Sequence, residues 1–180
     1  MKNIVLVGFM GTGKTEVGKI LASRLKRQRL CIDDMIEWKV GKPITRIFQE
    51  DGEGYFRKLE SEIVAAAAKN KNVVIDAGGG VVINEQNVRR LKEHGVVICL
   101  TARADVILQR TKGYIHRPLL NTQDPLASIK MLLEERAEYY KRADHTIDTS
   151  DMKLDEVAGR IMSIMEEPEP DKKAHIILQL

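Results

Sequence analysis

The sequence predicts an α/β fold in which a parallel sheet is covered by helices on both faces. Short apolar runs recur along the chain, and each is followed by turn residues and then by a longer stretch of helical period, which is the pattern of repeated β–α units. The runs are rich in Val, Ile and Leu, as in strands that are buried on both faces. With 180 residues, 43% of them hydrophobic, the chain is long enough for one compact domain.

The predicted strands share an apolar run bounded by polar or turn residues, and they are Ile4–Val7, Leu30–Ile32, Val73–Ile75, Val96–Leu100 and Thr146–Ile147. Longer segments with apolar residues every three or four positions predict amphipathic helices, at 14–26, 53–69, 84–93, 104–111, 126–142 and 154–165. Strands and helices therefore alternate through most of the chain.

Three segments stand outside this alternation. Residues 33–52 lie between the second strand and the next long helix and contain helical turns around Ile36 and Ile47. Residues 111–124 are polar, contain glycine and include Arg117, a composition typical of a lid. The chain after residue 166 is rich in proline and charge, so we expect a domain at 1–166 followed by a tail at 167–180.

Charge and composition exclude several classes of protein. Lys and Arg total 29 against 26 Asp and Glu, a net charge of +3 that is too small to indicate a nucleic-acid or membrane surface. No apolar run approaches the roughly 20 residues of a membrane span, and the N-terminal run is too short for a signal peptide. Cys31 and Cys99 lie in separate strand-like runs without metal or disulfide spacing. We expect a cytoplasmic monomer that binds neither nucleic acid nor membrane.

The first strand leads into a phosphate-binding motif. Residues 8–15 read G-F-M-G-T-G-K-T, which matches G-x-x-x-x-G-K-[ST] between a strand and a helix. The glycines let successive backbone N–H groups point at phosphate oxygens, while Lys14 reaches the β- and γ-phosphates and Thr15 binds Mg²⁺. The predicted nucleotide-binding residues of this loop are Gly11, Thr12, Gly13, Lys14, Thr15 and Glu16.

The rest of the chain narrows the class of nucleotide-binding protein. A GTPase would carry [NT]-K-x-D to read guanine, but Thr111-Lys112 is followed by Gly-Tyr and Asn70-Lys71 by Asn-Val. Large ATPase machines need a longer chain. A small-molecule kinase that uses ATP fits best.

Further motifs share an order along the chain with one known family: the phosphate loop, Asp33 before Ile36-Glu37, Gly52-Glu53, Phe56-Arg57 with Glu60, three glycines at 78–80, Arg117-Pro118-Leu119-Leu120, and Glu135-Arg136 followed by Tyr139-Tyr140. In these motifs the chain resembles the shikimate kinase family. The resemblance implies a three-layer P-loop kinase fold with a sheet of order 2-3-1-4-5. It also implies phosphorylation of the 3-hydroxyl of shikimate by MgATP, with residues 33–60 binding the acceptor.

The resemblance also implies roles for single residues. Arg57 and Arg136 correspond to arginines that bind the shikimate carboxylate, a task suited to a planar guanidinium. Asp33 corresponds to the aspartate that accepts from the attacking hydroxyl, and Gly78, Gly79 and Gly80 to the glycines beside the ring.

On the nucleotide side, the resemblance places Arg117 over the phosphates as a charge-neutralising group. We expect Arg110, at the end of its helix, to cap the adenine or assist the phosphates. Lys14, Asp33 and Arg117 form the predicted catalytic set.

The second strand departs from the family pattern. The family has Asp-x-Asp where this chain reads Cys31-Ile32-Asp33, so the first carboxylate, which supports Mg²⁺, is missing, and a thiol is a poor ligand for that cation. Asp76 ends the neighbouring strand, and we hypothesise that it replaces the lost contact. Two alternatives stay open: Asp76 is a turn-forming residue, or Asp34 is the substitute.

Two other functions also stay open. The first is a kinase with another acceptor, such as gluconate or a nucleotide, although Arg57, Gly79 and Arg136 together suit a small ring acid. The second is a kinase-like binding protein that has lost catalysis with the first aspartate. The retention of Lys14 and Thr15, together with the acceptor residues, opposes this second reading.

Overall fold

The computed structural model describes residues 1–112 and 123–166. The strands within them are β1 Asn3–Val7, β2 Arg29–Cys31, β3 Val74–Asp76, β4 Gly95–Thr101 and β5 His145–Asp148. The helices are α1 Lys14–Leu25, α2 Ile32–Val40, α3 Ile44–Glu50, α4 Gly52–Ala68, α5 Glu85–His94, α6 Ala104–Thr111, α7 Pro125–Tyr140 and α8 Leu154–Glu166. A 3-10 turn at Val81–Ile83 precedes α5. Strand and helix alternate as predicted, except that three helices lie between β2 and β3 and two described helices, α6 and α7, lie between β4 and β5.

The strands form one sheet of order β2-β3-β1-β4-β5, in which every neighbouring pair is parallel. The predicted fold class is confirmed: a five-stranded parallel sheet of order 2-3-1-4-5 flanked by helices. Leu6 of β1 pairs with Asp76 of β3, and Asp76 pairs in turn with Cys31 of β2. Because the strands run in one direction, their carboxyl ends and the loops after them meet at one edge of the sheet.

The two faces of the sheet carry separate apolar clusters, because successive side chains of a strand point to opposite faces. Val5 and Val7 pack with residues from α2 to α7. Ile4 and Leu6 pack on the other face with residues from α1 and α8. All four side chains are 0% exposed, and burying each contributes about 1.5–3 kcal/mol relative to exposure. The loop after β1 therefore starts from a rigidly held strand.

The segment after β2 differs from the prediction at its first residue. The sequence places Ile32 in a strand, which is wrong: β2 ends at Cys31, and Ile32 begins α2. Ile32 and Ile36 lie one helical turn apart and both are fully buried, so packing of a helical face outweighs the β-propensity of Ile32. The helical turns predicted around Ile36 and Ile47 are α2 and α3. Asp33 consequently lies in the first turn of a helix.

Two predicted segments fall largely or wholly outside the described residues. Of the predicted lid at 111–124, only the ends are described; the Asp124 side chain accepts a hydrogen bond from the Ala127 N–H (3.0 Å) at the start of α7. Arg117 and the tail at 167–180 lie outside the described part. No described helix is long and apolar enough to cross a bilayer.

Candidate active site

The phosphate loop between β1 and α1 depends on glycines in backbone conformations that other residues rarely adopt. Gly8, Gly11 and Gly13 have φ values of +133°, +76° and +95°. A Cβ at Gly8 would stand 2.1 Å from the Leu100 carbonyl oxygen, and one at Gly11 would stand 2.9 Å from the Thr111 side chain. Glycine is therefore required at Gly8 and strongly favoured at Gly11, and the loop lies directly before the N-terminus of α1, where anions bind.

Lys14 folds back onto this loop. Its Nζ donates to the Phe9 carbonyl oxygen at 2.9 Å, and the Thr12 hydroxyl donates to the same oxygen at 2.7 Å. The Lys14 side chain is almost fully buried, so a charged ammonium is held against the loop backbone. This position suits a group that contacts phosphate oxygens in the same loop.

The loop is linked to the end of β3 through Thr15. The Thr15 hydroxyl donates to Asp76 Oδ2 at 2.8 Å, and Asp76 is only 4% exposed. Cys31 pairs with Asp76 across β2 and β3. Burial raises the pKa of the Cys31 thiol to about 11, helped by the charges of Asp76, Asp34 and Asp33 and opposed by a backbone hydrogen bond at Asp34. The thiol therefore stays neutral near pH 7 and adds no charge beside Asp76.

A divalent cation at this point would depend on the nucleotide for most of its ligands. Among the described residues, no group of three or more His, Cys, Asp or Glu side chains is placed to hold a metal. The Thr15 hydroxyl and the Asp76 carboxylate are nonetheless the oxygen ligands that Mg²⁺ prefers, and Mg²⁺ commonly binds through one or two protein ligands plus phosphates and water. The residues present fit that type of site.

Arg57 on α4 is clamped by two carboxylates. Its Nη1 donates to Glu60 Oε2 at 2.9 Å, and its Nη2 donates to Glu53 Oε1 at 2.9 Å. Glu60 is 4% exposed; burial raises its pKa, and the charge of Arg57 opposes that rise. The guanidinium also lies across Gly80, where a Cβ would stand 2.2 Å from Nη1. Arg57 thus has a fixed orientation at the glycine run.

The three glycines at 78–80 have different neighbours. A Cβ at Gly78 would stand 3.6 Å from Asp33 Oδ1, and Gly78 has a φ of +74°. A Cβ at Gly79 would stand 2.8 Å from the Gly8 carbonyl oxygen. The sequence assigns these glycines to the approach of a ligand; the structure adds that Gly79 and Gly80 make room for the phosphate loop and for Arg57.

Asp33 lies between the glycine run at 78–80 and Lys14 of the phosphate loop. Its side chain is open to solvent, yet the protein packed around it raises its pKa by desolvation, the charge of Asp76 raises it further, and the charge of Lys14 lowers it. A carboxylate with a raised pKa next to an ammonium is typical of a proton acceptor in a reaction site.

Arg136 and Tyr140 bring α7 to the same region. Arg136 lies over the Phe9 ring (5.8 Å from Cζ to the centroid), and its Nε is buried without a hydrogen-bond partner. The Tyr140 hydroxyl donates to the Gly79 carbonyl oxygen at 3.2 Å. Burial raises the pKa of Tyr140 to about 12, against the charge of Arg136 and a hydrogen bond from it. A buried N–H without a partner costs stability, and an anionic ligand would supply the missing acceptor.

Arg110 is bound to the backbone on the nucleotide side. Its Nη2 donates to the Thr149 carbonyl oxygen at 2.7 Å, and its Nη1 lies 3.5 Å from the Gly11 carbonyl oxygen. Thr149, which the sequence analysis missed, is buried, and its hydroxyl lies 3.1 Å from the Thr12 carbonyl oxygen. Glu16, by contrast, has an exposed side chain paired with Lys19 at 2.7 Å.

The structure therefore brings most of the predicted site residues to one edge of the sheet, with the exception of Arg117, which lies outside the described part. No role for Tyr140 follows from the sequence alone, although the Tyr139-Tyr140 pair is one of the motifs. Arg29 was missed altogether. Its Nη1 lies 3.3 Å from Asp76 Oδ2, and its position two residues before Cys31 on the same strand face was the available signal.

Comparison with known proteins agrees with this arrangement. A sequence profile described as shikimate kinase matches residues 10–166. The chain is 48% identical to shikimate kinase from Pelotomaculum thermopropionicum, over 93% of this chain and 97% of that protein. It is also 48% identical to shikimate kinase from Caldanaerobacter subterraneus, over 90% of this chain and 95% of that protein.

A solved structure gives the same result. Shikimate kinase from Acinetobacter baumannii, in complex with shikimate, has a TM-score of 0.87 to this chain and 36% sequence identity, covering 92% of this chain and 93% of that one. The profile match and both relatives extend over nearly all the described residues. The chain belongs to the shikimate kinase family.

Proposed function

We propose that the chain transfers the γ-phosphoryl group of ATP to the 3-hydroxyl of shikimate, giving shikimate 3-phosphate and ADP on the route to chorismate and the aromatic amino acids. Shikimate carries one carboxylate and three hydroxyls, so its site needs cations and hydrogen-bonding groups at fixed separations. One observation carries the proposal: Asp33 and the clamped Arg57 meet the glycine run where Gly79 touches Gly8 of the phosphate loop.

Asp33 is the proposed proton acceptor. As the 3-hydroxyl oxygen bonds to the γ-phosphorus, the bond to the β,γ-bridging oxygen breaks and its electron pair leaves with ADP, while the hydroxyl proton passes to the Asp33 carboxylate. The raised pKa of Asp33 supports this role, because such a carboxylate binds the released proton more readily. Lys14 and Arg117 carry the positive charge proposed to stabilise the transferred group.

Arg57 and Arg136 are proposed to bind the carboxylate of shikimate. The clamp on Arg57 by Glu53 and Glu60 fixes the direction of its guanidinium, which reduces the entropy lost on binding. The unpartnered Nε of Arg136 is a further donor for an acid. Gly78, Gly79 and Gly80 are proposed to line the ring.

The proposed nucleotide site consists of the loop residues Gly11, Thr12, Gly13, Lys14, Thr15 and Glu16, together with Arg110 and Arg117. Mg²⁺ is the proposed metal, held by Thr15 and Asp76 with the phosphates, and it would neutralise negative charge on the transferring group. The Thr15–Asp76 hydrogen bond supports this pair. The 3.5 Å approach of Arg110 to Gly11 supports its place beside the phosphates.

We further infer one kinase domain at 1–166, with an acceptor-binding segment at 33–60 and a lid at 111–124, acting as a cytoplasmic monomer without nucleic-acid or membrane partners. The small net charge of +3 supports the absence of a polyanionic partner. Size-exclusion chromatography with light scattering tests the monomer.

A coupled assay of ADP release tests the function. With MgATP, we expect turnover with shikimate and little ADP release with gluconate or without an acceptor. Asp33→Asn should lower kcat by at least about 100-fold, the lower end of the range for lost general base catalysis. ADP release that is equal with and without shikimate would refute the proposal, and so would faster turnover with gluconate.

A further inference from the structure

Arg29 at the start of β2 reaches the carboxylate that we propose as a metal ligand. Its Nη1 lies 3.3 Å from Asp76 Oδ2, the oxygen that also accepts the Thr15 hydroxyl at 2.8 Å. Its Nη2 lies 3.5 Å from Asp34 Oδ2. The two carboxylates differ in exposure, 5% for the Asp76 side chain and 70% for Asp34. The guanidinium thus bridges a buried carboxylate and a surface one.

The fold fixes the course of this side chain. Arg29 pairs in register with Val74, and Cys31 with Asp76, so Arg29 and Asp76 project from the same face of the sheet. A Cβ at Gly18 on α1 would stand 3.5 Å from Arg29 Cδ, at ordinary van der Waals distance, so the Arg29 stem runs beside Gly18 where α1 covers the sheet. The stem packs as a hydrophobic group.

The guanidinium also balances the charge at the end of β3. Asp76 is buried, and a buried carboxylate is costly unless a cation or hydrogen bonds compensate it. The Arg29 side chain is itself only 20% exposed. Arg29 and Asp76 therefore form a largely buried ion pair within one hydrogen bond of Thr15.

We propose that Arg29 is an internal counter-cation for Asp76 and sets how strongly the Thr15–Asp76 pair attracts Mg²⁺. The inference rests on the proposed metal role of Asp76. The guanidinium holds Asp76 Oδ2 near Thr15 and repels any divalent cation that approaches the same carboxylate. The phosphate charge of a nucleotide is then needed to overcome this repulsion. Arg29 is a positioning residue that acts through Asp76.

Calorimetric titration of ADP with and without Mg²⁺ tests the proposal, because the ratio of the two affinities measures the contribution of the metal. Arg29→Met keeps the packed stem and removes the charge, and we expect it to raise the ratio about tenfold, a coupling of about 1.4 kcal/mol. Arg29→Lys keeps the charge and should stay within about threefold of the unaltered chain. Arg89→Met, which removes an exposed arginine paired with Glu85 on α5, is the matched control and should leave the ratio unchanged.

A ratio in Arg29→Met that is unchanged or lower overturns the proposal. Asp76→Ala separates this result from a failure of the metal assignment. If Asp76→Ala lowers the ratio while Arg29→Met does not raise it, the metal role of Asp76 stands and the role of Arg29 is wrong. If Asp76→Ala leaves the ratio unchanged, both fall.

A second variant and a second measurement keep the proposal testable if Arg29→Met fails to fold. If Arg29→Met does not fold, Arg29→Gln tests the same loss of charge. The increase in Tm on adding MgADP instead of ADP reports the same affinity ratio through mass action. An increase equal to that of the unaltered chain would also refute the proposal.

Discussion

The phosphate loop and the acceptor side of this site are built in different ways. The loop occupies residues 8–15, and its shape comes from glycine backbone conformations. The acceptor side collects Asp33, Arg57 and Tyr140 from separate helices, and side-chain hydrogen bonds fix Arg57 to Glu60 and Tyr140 to the Gly79 carbonyl oxygen. We therefore expect the loop to tolerate almost no change in its own backbone. The acceptor side should respond gradually, in proportion to the bonds removed.

The largest effect is expected at Gly8. Gly8→Ala places a Cβ 2.1 Å from the Leu100 carbonyl oxygen at a φ of +133°, so backbone strain and overpacking together should cost roughly 2–6 kcal/mol. At about 2–4 °C per kcal/mol for a chain of this size, Tm should fall by roughly 10 °C. Thermal unfolding followed by circular dichroism measures this.

Gly159→Ala is the matched control for that substitution. Gly159 lies inside α8 with nothing within 4 Å of a Cβ, so alanine should stabilise the helix by about 0.5–1 kcal/mol. A similar loss of Tm in both variants would mean that the loop is no more sensitive than any helix.

Asp76→Ala should give the next largest effect, at the junction of the two sides. Even residues that only support a metal ligand change affinity or activity by about 10–100-fold, so loss of the proposed ligand itself should lower turnover about 100-fold and raise the Mg²⁺ requirement. The Mg²⁺ dependence of ADP release measures this. An unchanged dependence would show that Asp76 only forms the turn.

A double variant tests whether the carboxylate can be moved. Cys31 lies opposite Asp76 in the strand register, so Cys31→Asp combined with Asp76→Ala places a carboxylate on the neighbouring strand tip. We expect the double variant to turn over at least about tenfold faster than Asp76→Ala alone. Failure to recover, in a folded variant, would argue that the position on β3 itself matters.

A smaller and more selective effect is expected for Tyr140→Phe. The change removes the hydrogen bond to the Gly79 carbonyl oxygen and the partner of Arg136, and one such bond is worth about 1 kcal/mol. The KM for shikimate should rise roughly five- to tenfold while the KM for ATP stays constant. Tyr139→Phe, which keeps the ring under Arg142 (5.0 Å), is the control. Equal changes in both KM values would contradict the separation of the two sides.

The smallest expected effect is on stability at Asp33. Its pKa is raised in the folded chain, so the ionised form is destabilising, and stability falls as pH rises through the folded pKa. Asp33→Asn should therefore raise Tm slightly at pH 7, on the order of 1–2 °C given the solvent screening of an open side chain. The gain should disappear in acid, below the ordinary pKa of Asp. A lower Tm at pH 7 would contradict this sign.

The sequence predicted the features that depend on local pattern. Strand and helix periodicity and the phosphate motif are read within a few residues, and the strand order came with the resemblance to the family. Ile32 was wrongly predicted to be in a strand because β-propensity is a property of a single residue. It does not take account of the packing that Ile32 shares with Ile36, one helical turn later. The two side chains form one buried helical face in the folded chain, and this burial decides in favour of the helix.

Long-range pairing could not be read in the same way. Arg29 and Asp76 lie 47 positions apart, and Tyr140 and Gly79 lie 61 apart. Their contacts depend on the register between strands and on where α7 crosses the sheet, which no periodicity encodes. The polar contacts within the site therefore could not be predicted from the sequence.

The contact between Gly79 and the Gly8 carbonyl oxygen has a consequence for redesign. It joins the two halves of the site through backbone alone, so the spacing between phosphate donor and acceptor does not depend on which side chains recognise the acceptor. Arg57 and Arg136 can be exchanged to accept a different small molecule while this spacing is kept. A library aimed at new acceptors should vary those two positions and leave both glycines fixed.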